Sequence, residues 1–84
     1  MRIIMEPNGG AFITGWVRTE RDTETAYGFT SSDKRHEQPF WVPKKAIVEG
    51  SAIILGANHS TQKLTVLVKP WFAKQQSLEG TPAI

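Results

Sequence analysis

Phe40-Trp41-Val42-Pro43-Lys44-Lys45-Ala46-Ile47-Val48 is the stretch from which the rest of the chain can be read. Two aromatics and a valine suit a β-strand, and Pro43 stops it while biasing Val42 to an extended shape. Two lysines follow at the stop, and Ala46-Ile47-Val48 returns the chain to apolar surroundings. Strand alternation puts Phe40 and Trp41 on opposite faces, so one points at the core and the other at solvent. Residues 44–47 have room for a single 3₁₀ turn. A short strand, a sharp turn and an immediate apolar return are the elements of a small β-rich domain.

The flanks agree with this. Downstream, residues 63–68 show the clearest strand pattern, with Leu64, Val66 and Val68 on one face and Thr65 and Leu67 on the other. Residues 51–55 form the strand before it, and residues 56–62 the hairpin loop between them. Upstream, residues 31–38 contain no apolar side chain except the aliphatic stems of charged groups, and read as a surface loop. Residues 25–30 and 11–19 read as a strand pair joined by a polar connection at residues 20–23. Gly15 inside the first of these marks a bulge or a bend. Arg2-Ile3-Ile4-Met5 is a short edge strand, ended by the Pro7-Asn8-Gly9-Gly10 turn. At the other end, Pro70 opens a helix over residues 70–78. Trp71, Phe72, Gln75 and Leu78 fall near one face, and Gly80 is its expected stop. Both Trp71 and Phe72 are therefore expected to be core residues.

Five to six short antiparallel strands and one short C-terminal helix predict a mainly β fold, an SH3-like or OB-like barrel. The chain has 84 residues, room for one modest core. Residues 1–80 are expected to form the single domain and 81–84 a flexible tail. With no cysteine, neither a disulfide framework nor a thiolate metal site is available. No run approaches the ~18 apolar residues of a membrane span, and no signal-peptide pattern is present. The expected location is the cytoplasm, with no membrane partner.

The formal net charge is +2 and the pI about 9.2, a small excess on a short chain. Basic charge leans toward the second half. Lys44 and Lys45, with Lys34 and Arg35 across the polar loop, are placed to meet phosphates, and Trp41 beside them to stack on a base. The plainer reading is a solvated basic loop around an aromatic core, and for any single aromatic the core is the commoner fate. His36 and His59 match no metal-ligand spacing. Gly9-Gly10 precedes a strand and has no lysine after it, so it is not a phosphate cradle. No Ser-His-Asp arrangement has a supporting context. An enzyme is not expected, and neither a cofactor nor a metal.

Two stretches carry a resemblance. Trp41-Val42-Pro43-Lys44 with Ala46-Ile47, and Trp71-Phe72-Ala73-Lys74 with Leu78, resemble the Trp-apolar-Pro-Lys motif and C-terminal Trp-Phe-Ala-Lys helix of short, mostly uncharacterised bacteriophage and prophage proteins. Lys45 stands where a serine is common in that group, and Pro70 where an acidic residue is common. The resemblance implies a phage or mobile-element origin and a small accessory role. Three functions follow in order. The first is a non-enzymatic nucleic-acid-binding barrel acting on single-stranded or duplex nucleic acid through Trp41, Lys44, Lys45, Arg35 and Lys34. The second is a protein inhibitor of a host defence system, of the anti-CRISPR or anti-restriction type. The third is a homo-oligomeric structural component, with the Pro70 helix or the Arg2–Met5 strand at the subunit contact.

Overall fold

A computed structural model describes residues 1–32 and 36–82. Its elements are strands β1 (Arg2–Met5), β2 (Ala11–Asp22), β3 (Ala26–Thr30) and β4 (Phe40–Pro43), a 3₁₀ turn (Lys44–Ala46), strands β5 (Ile53–Ala57) and β6 (Thr61–Val68), helix α1 (Pro70–Gln75) and a two-residue strand β7 (Thr81–Pro82). This is the mainly β class with a short C-terminal helix that the pattern predicts. Strands β1 to β6 pair antiparallel, and β7 pairs parallel to β1.

The long strand β2 organises the sheet. One of its edges pairs with β6 from Ala11↔Val68 to Arg18↔Thr61. Its other edge serves two partners: β1 over Ala11 to Thr14, then β3 from Trp16 onward. Gly15 stands at that handover. A Cβ there would lie 2.8 Å from the Thr30 carbonyl oxygen and 3.2 Å from Phe29 Cδ1. The expected bend at Gly15 is thus a change of partner, and the register shift lies further along, between Val17 and Asp22. The strand also continues through Asp22, beyond the expected hairpin start. Thr23 closes the turn instead, its hydroxyl accepting from the Ala26 N–H at 3.0 Å.

The sheet is not closed, so "barrel" fits it only loosely. In place of a ladder between β4 and β6, the chain after the 3₁₀ turn meets the end of β6 through an Ile47↔Val68 bridge, flanked by Val48 N–H to Leu67 O and Lys69 N–H to Ala46 O, each 2.8 Å. Inside lie Ala11, Ile13, Val17, Phe29, Val42, Ala46, Leu64, Val66 and Val68, each 2% exposed or less. Alternation delivers them: Ile13 faces Val66 and Ala11 faces Val68 in register.

Helix α1 packs on the core through Phe72 and Ala73, and one placement differs from expectation. Phe72 and Ala73 are buried at 2%, whereas Trp71 is 46% exposed. Phe72 packs against Phe40 at a centroid distance of 6.2 Å, and Trp71 lies edge-on to it from outside at 5.9 Å. Successive helix positions are ~100° apart, so an inward stripe that takes both Phe72 and Ala73 leaves Trp71 outside it. The helix stop also differs. Ser77 takes the left-handed conformation, φ 52°, and the Leu78 N–H bonds the Ala73 carbonyl at 3.0 Å. This closes the helix three residues before Gly80. Ser77→Gly removes a side-chain penalty of roughly 1 kcal/mol, partly offset by glycine's greater unfolded freedom. We expect a melting midpoint raised by a few degrees.

Gly80 has another role. A Cβ there would sit 2.2 Å from the Ile3 carbonyl oxygen, so only glycine lets this segment lie on β1. Thr81 and Pro82 of the expected tail then pair with Ile4 and Met5. Near the polar loop, the Glu37 carboxylate accepts from the Ser31 N–H and from Ser32 Oγ, the latter at 3.0 Å. The Ser31 backbone bond is the main cause that holds its pKa below the ordinary glutamate value. A depressed folded pKa means that the stabilisation is fully present above the unfolded value and disappears as pH falls through the folded one. The Ser31 amide resonance should therefore titrate with a midpoint below that of a free glutamate.

Candidate interaction surface

The residues proposed from sequence as a binding site divide between two places. Val42 is fully buried, so its neighbour Trp41 faces outward, 46% exposed. Gly28 lies beneath that side chain: a Cβ there would be 3.3 Å from Trp41 Cη2 and 3.0 Å from Arg21 Cβ. Phe40 points the other way, onto Phe72. Lys44 and Lys45 belong instead to a depression of about 380 Å³ at the 3₁₀ turn, lined also by Tyr27, Ile47, Glu49 and Lys69. Trp41 does not line it. Lys34 and Arg35 lie outside the described residues.

Within the depression the lysines are partly engaged. Lys44 Nζ is 3.0 Å from Asp22 Oδ1 and 4.5 Å from the Tyr27 ring centroid. Lys69 Nζ donates to the Lys45 carbonyl at 3.1 Å. The ammonium over Tyr27 is the cation–π arrangement, worth about 0.5–1 kcal/mol at an exposed site. The result is a shallow basic dish with an aromatic wall and Glu49 at its margin. It suits a single anionic group, since Trp41 does not line it, although Lys44 and Lys45 also border a wider hollow beside Ala26 and Pro43, on the face of β4 that carries Trp41.

The larger feature is apolar, and its exposure is not evident from the sequence. Ile53, Ile54 and Leu55 are 56%, 62% and 55% exposed, the three most exposed large apolar side chains described. They lie on β5, which pairs with β6 on one edge and, among the described residues, with nothing on the other. Ile53 stands opposite Thr65, so it shares the outer face of β6. Ile54 stands opposite the buried Leu64 yet is itself exposed. Leu55 is the extra residue of a bulge and joins Trp16, Lys63, Ile4 and Met1 around a second depression, of about 390 Å³. Further along the same outer face the register aligns Leu67, Phe12 and Ile4. The signal available in the sequence was the run itself. Three adjacent large apolar residues in a strand present apolar surface to both faces, which is natural for a central strand and anomalous for an edge.

The loop after β5 is shorter than expected, because both strands extend into it and leave residues 58–60. Asn58 Oδ1 holds the turn, accepting from the Ser60 and Thr61 N–H groups at 3.1 and 2.9 Å. His59 at its tip and His36 in the polar loop are both exposed. Among the described residues no helix is long and apolar enough to cross a membrane. No protein-family model, no curated protein and no solved structure matches this chain.

Proposed function

We propose that the protein is a small, non-enzymatic protein-interaction domain that docks along β5 and the outer sheet face beside it. One observation carries this: three consecutive large apolar side chains, each more than half exposed, on a strand whose outer edge is unpaired among the described residues. Contiguous apolar surface of this kind marks interaction sites, and an open strand edge supplies main-chain hydrogen bonds to an added strand. Protein docking is placed first because Ile53, Ile54 and Leu55 are each more exposed than Trp41. The resemblance to small phage proteins makes a host protein, in the inhibitor role, one class of partner, a second copy of the chain being another.

The test is affinity capture from host lysate by wild type and by Ile54→Lys, washed in moderate salt. A retained partner that the variant loses supports the reading. Equal retention by both removes β5 from the interface.

Nucleic-acid binding is the second reading, favoured by the grouping of Lys44, Lys45 and Lys69 around one depression. It requires that affinity for labelled single-stranded DNA, duplex DNA or RNA fall steeply with salt. Replacing Lys45 and Lys69 by alanine should then flatten the slope of log K against log salt by about 0.7–0.9 for each phosphate no longer neutralised.

A further inference from the structure

We infer that the occupant of β5 is a second copy of this chain, paired antiparallel strand to strand about a two-fold axis; the inference rests on the protein-docking reading and names its partner. The sheet has three outer strands among the described residues: β4, β7 and β5. The first two end in Pro43 and Pro82, which have no N–H to give a neighbouring strand, and Lys44 follows Pro43 directly. Proline and lysine are the usual protections of an edge. β5, Ile-Ile-Leu-Gly-Ala, has neither proline nor charge, and its one protection is the bulge at Leu55. Among the described strands it is the edge left competent to pair.

Its composition is self-complementary. Centred on Ile54, an antiparallel pairing sets Ile54 against Ile54 and Ile53 against Leu55, with no charge facing its own copy. Apolar and β-branched cross-strand pairs of this kind are favourable, and like charges would not be. The flanking charge favours the antiparallel direction. Lys63, exposed on β6 opposite Gly56, then lies at opposite ends of the seam in the two copies, whereas parallel pairing would bring the two lysines side by side. A net charge of +2 gives two copies little reason to repel.

The area sets the strength. Three side chains at this exposure present apolar surface on the order of 300 Å², the size of the largest patch on an ordinary monomer and less than the roughly 800 Å² per partner of a standard interface. The dimer is accordingly a dynamic one. It extends β2-β6-β5 into a continuous sheet across the two-fold, and brings the two outer faces with Trp16 and Phe12 onto one surface.

Sedimentation velocity over about 1–500 µM, the range in which an interface of this size is populated, tests the pairing. Wild type should shift with concentration toward twice the 9.4 kDa chain mass and stop there. Ile54→Lys should remain at the chain mass. Lys45→Glu, which alters charge away from β5, should still dimerise, showing that the loss is specific to the edge. A monomeric wild type throughout, equal dimerisation of Ile54→Lys, or growth past the dimer into open-ended assemblies each overturns it. If wild type is monomeric yet holds a salt-resistant partner that Ile54→Lys loses, self-pairing fails and the docking reading stands. If wild type is monomeric and the variant loses no partner, both fail.

Discussion

Phe72→Ala should destabilise the protein by about 3–5 kcal/mol, the usual cost of truncating a buried aromatic. Trp71→Ala, one residue earlier, should cost much less. The two differ because of where the six-residue helix points them. Phe72 is 2% exposed, packs on the core and touches Phe40, whereas Trp71 is 46% exposed and covers Phe72 from the solvent side. An 84-residue domain has a net stability of about 4–13 kcal/mol, so the first substitution removes a large share of it. At about 4–8 °C per kcal/mol, its melting midpoint should fall by tens of degrees or the chain should fail to fold. Paired thermal melts check this. Equal losses for the two variants would mean that α1 enters the core along a different face.

Gly15→Ala should cost about 1–3 kcal/mol, the range for forcing a methyl group into a packed site. The added carbon meets the Thr30 carbonyl oxygen at 2.8 Å, and that oxygen belongs to backbone. The strand is pinned on both sides, since β2 pairs Gly15 with Leu64 while its other edge passes from Thr14↔Arg2 to Trp16↔Thr30. Relief requires separating β2 from β3, over Phe29. Gly80→Ala makes a closer clash, 2.2 Å from the Ile3 carbonyl oxygen, but at the sheet margin. There the two-residue β7 can lift away, so its effect should be local opening and not global loss. Denaturant melts with amide exchange at Ile3, Ile4 and Met5 separate the two cases.

What the sequence reveals here follows from which interactions are local. The alternation of Leu64, Val66 and Val68 places β6 and its inward face, and the opposite facing of Phe40 and Trp41 is a property of any strand. The 3₁₀ turn follows from Pro43 and its neighbours. Assignments that depend on topology are different. Whether Trp71 or Phe72 turns inward depends on the direction in which Val68-Lys69 delivers the chain to the helix. The helix stop falls to Ser77, not Gly80, because Gly80 is needed where the chain crosses β1. Sequence proximity grouped Trp41 with Lys44 and Lys45; Trp41 is exposed as strand alternation requires, while the depression at the 3₁₀ turn takes the lysines without it. The apolar run of β5 becomes informative only once the sheet order makes it an edge, and nothing local to Ile53-Ile54-Leu55 distinguishes an edge from a centre.

The central claim is that β5 is the interface, and amide chemical-shift mapping of isotope-labelled protein addresses it residue by residue. Spectra should be recorded at increasing protein concentration and, separately, with added single-stranded DNA. The expected result is concentration-dependent shifts confined to Ile53–Ala57 and the neighbouring β6 and outer-face positions, with little change on adding DNA. Invariant β5 resonances at every concentration, together with DNA-dependent shifts at Lys44, Lys45 and Lys69, would contradict it and return the function to the basic depression.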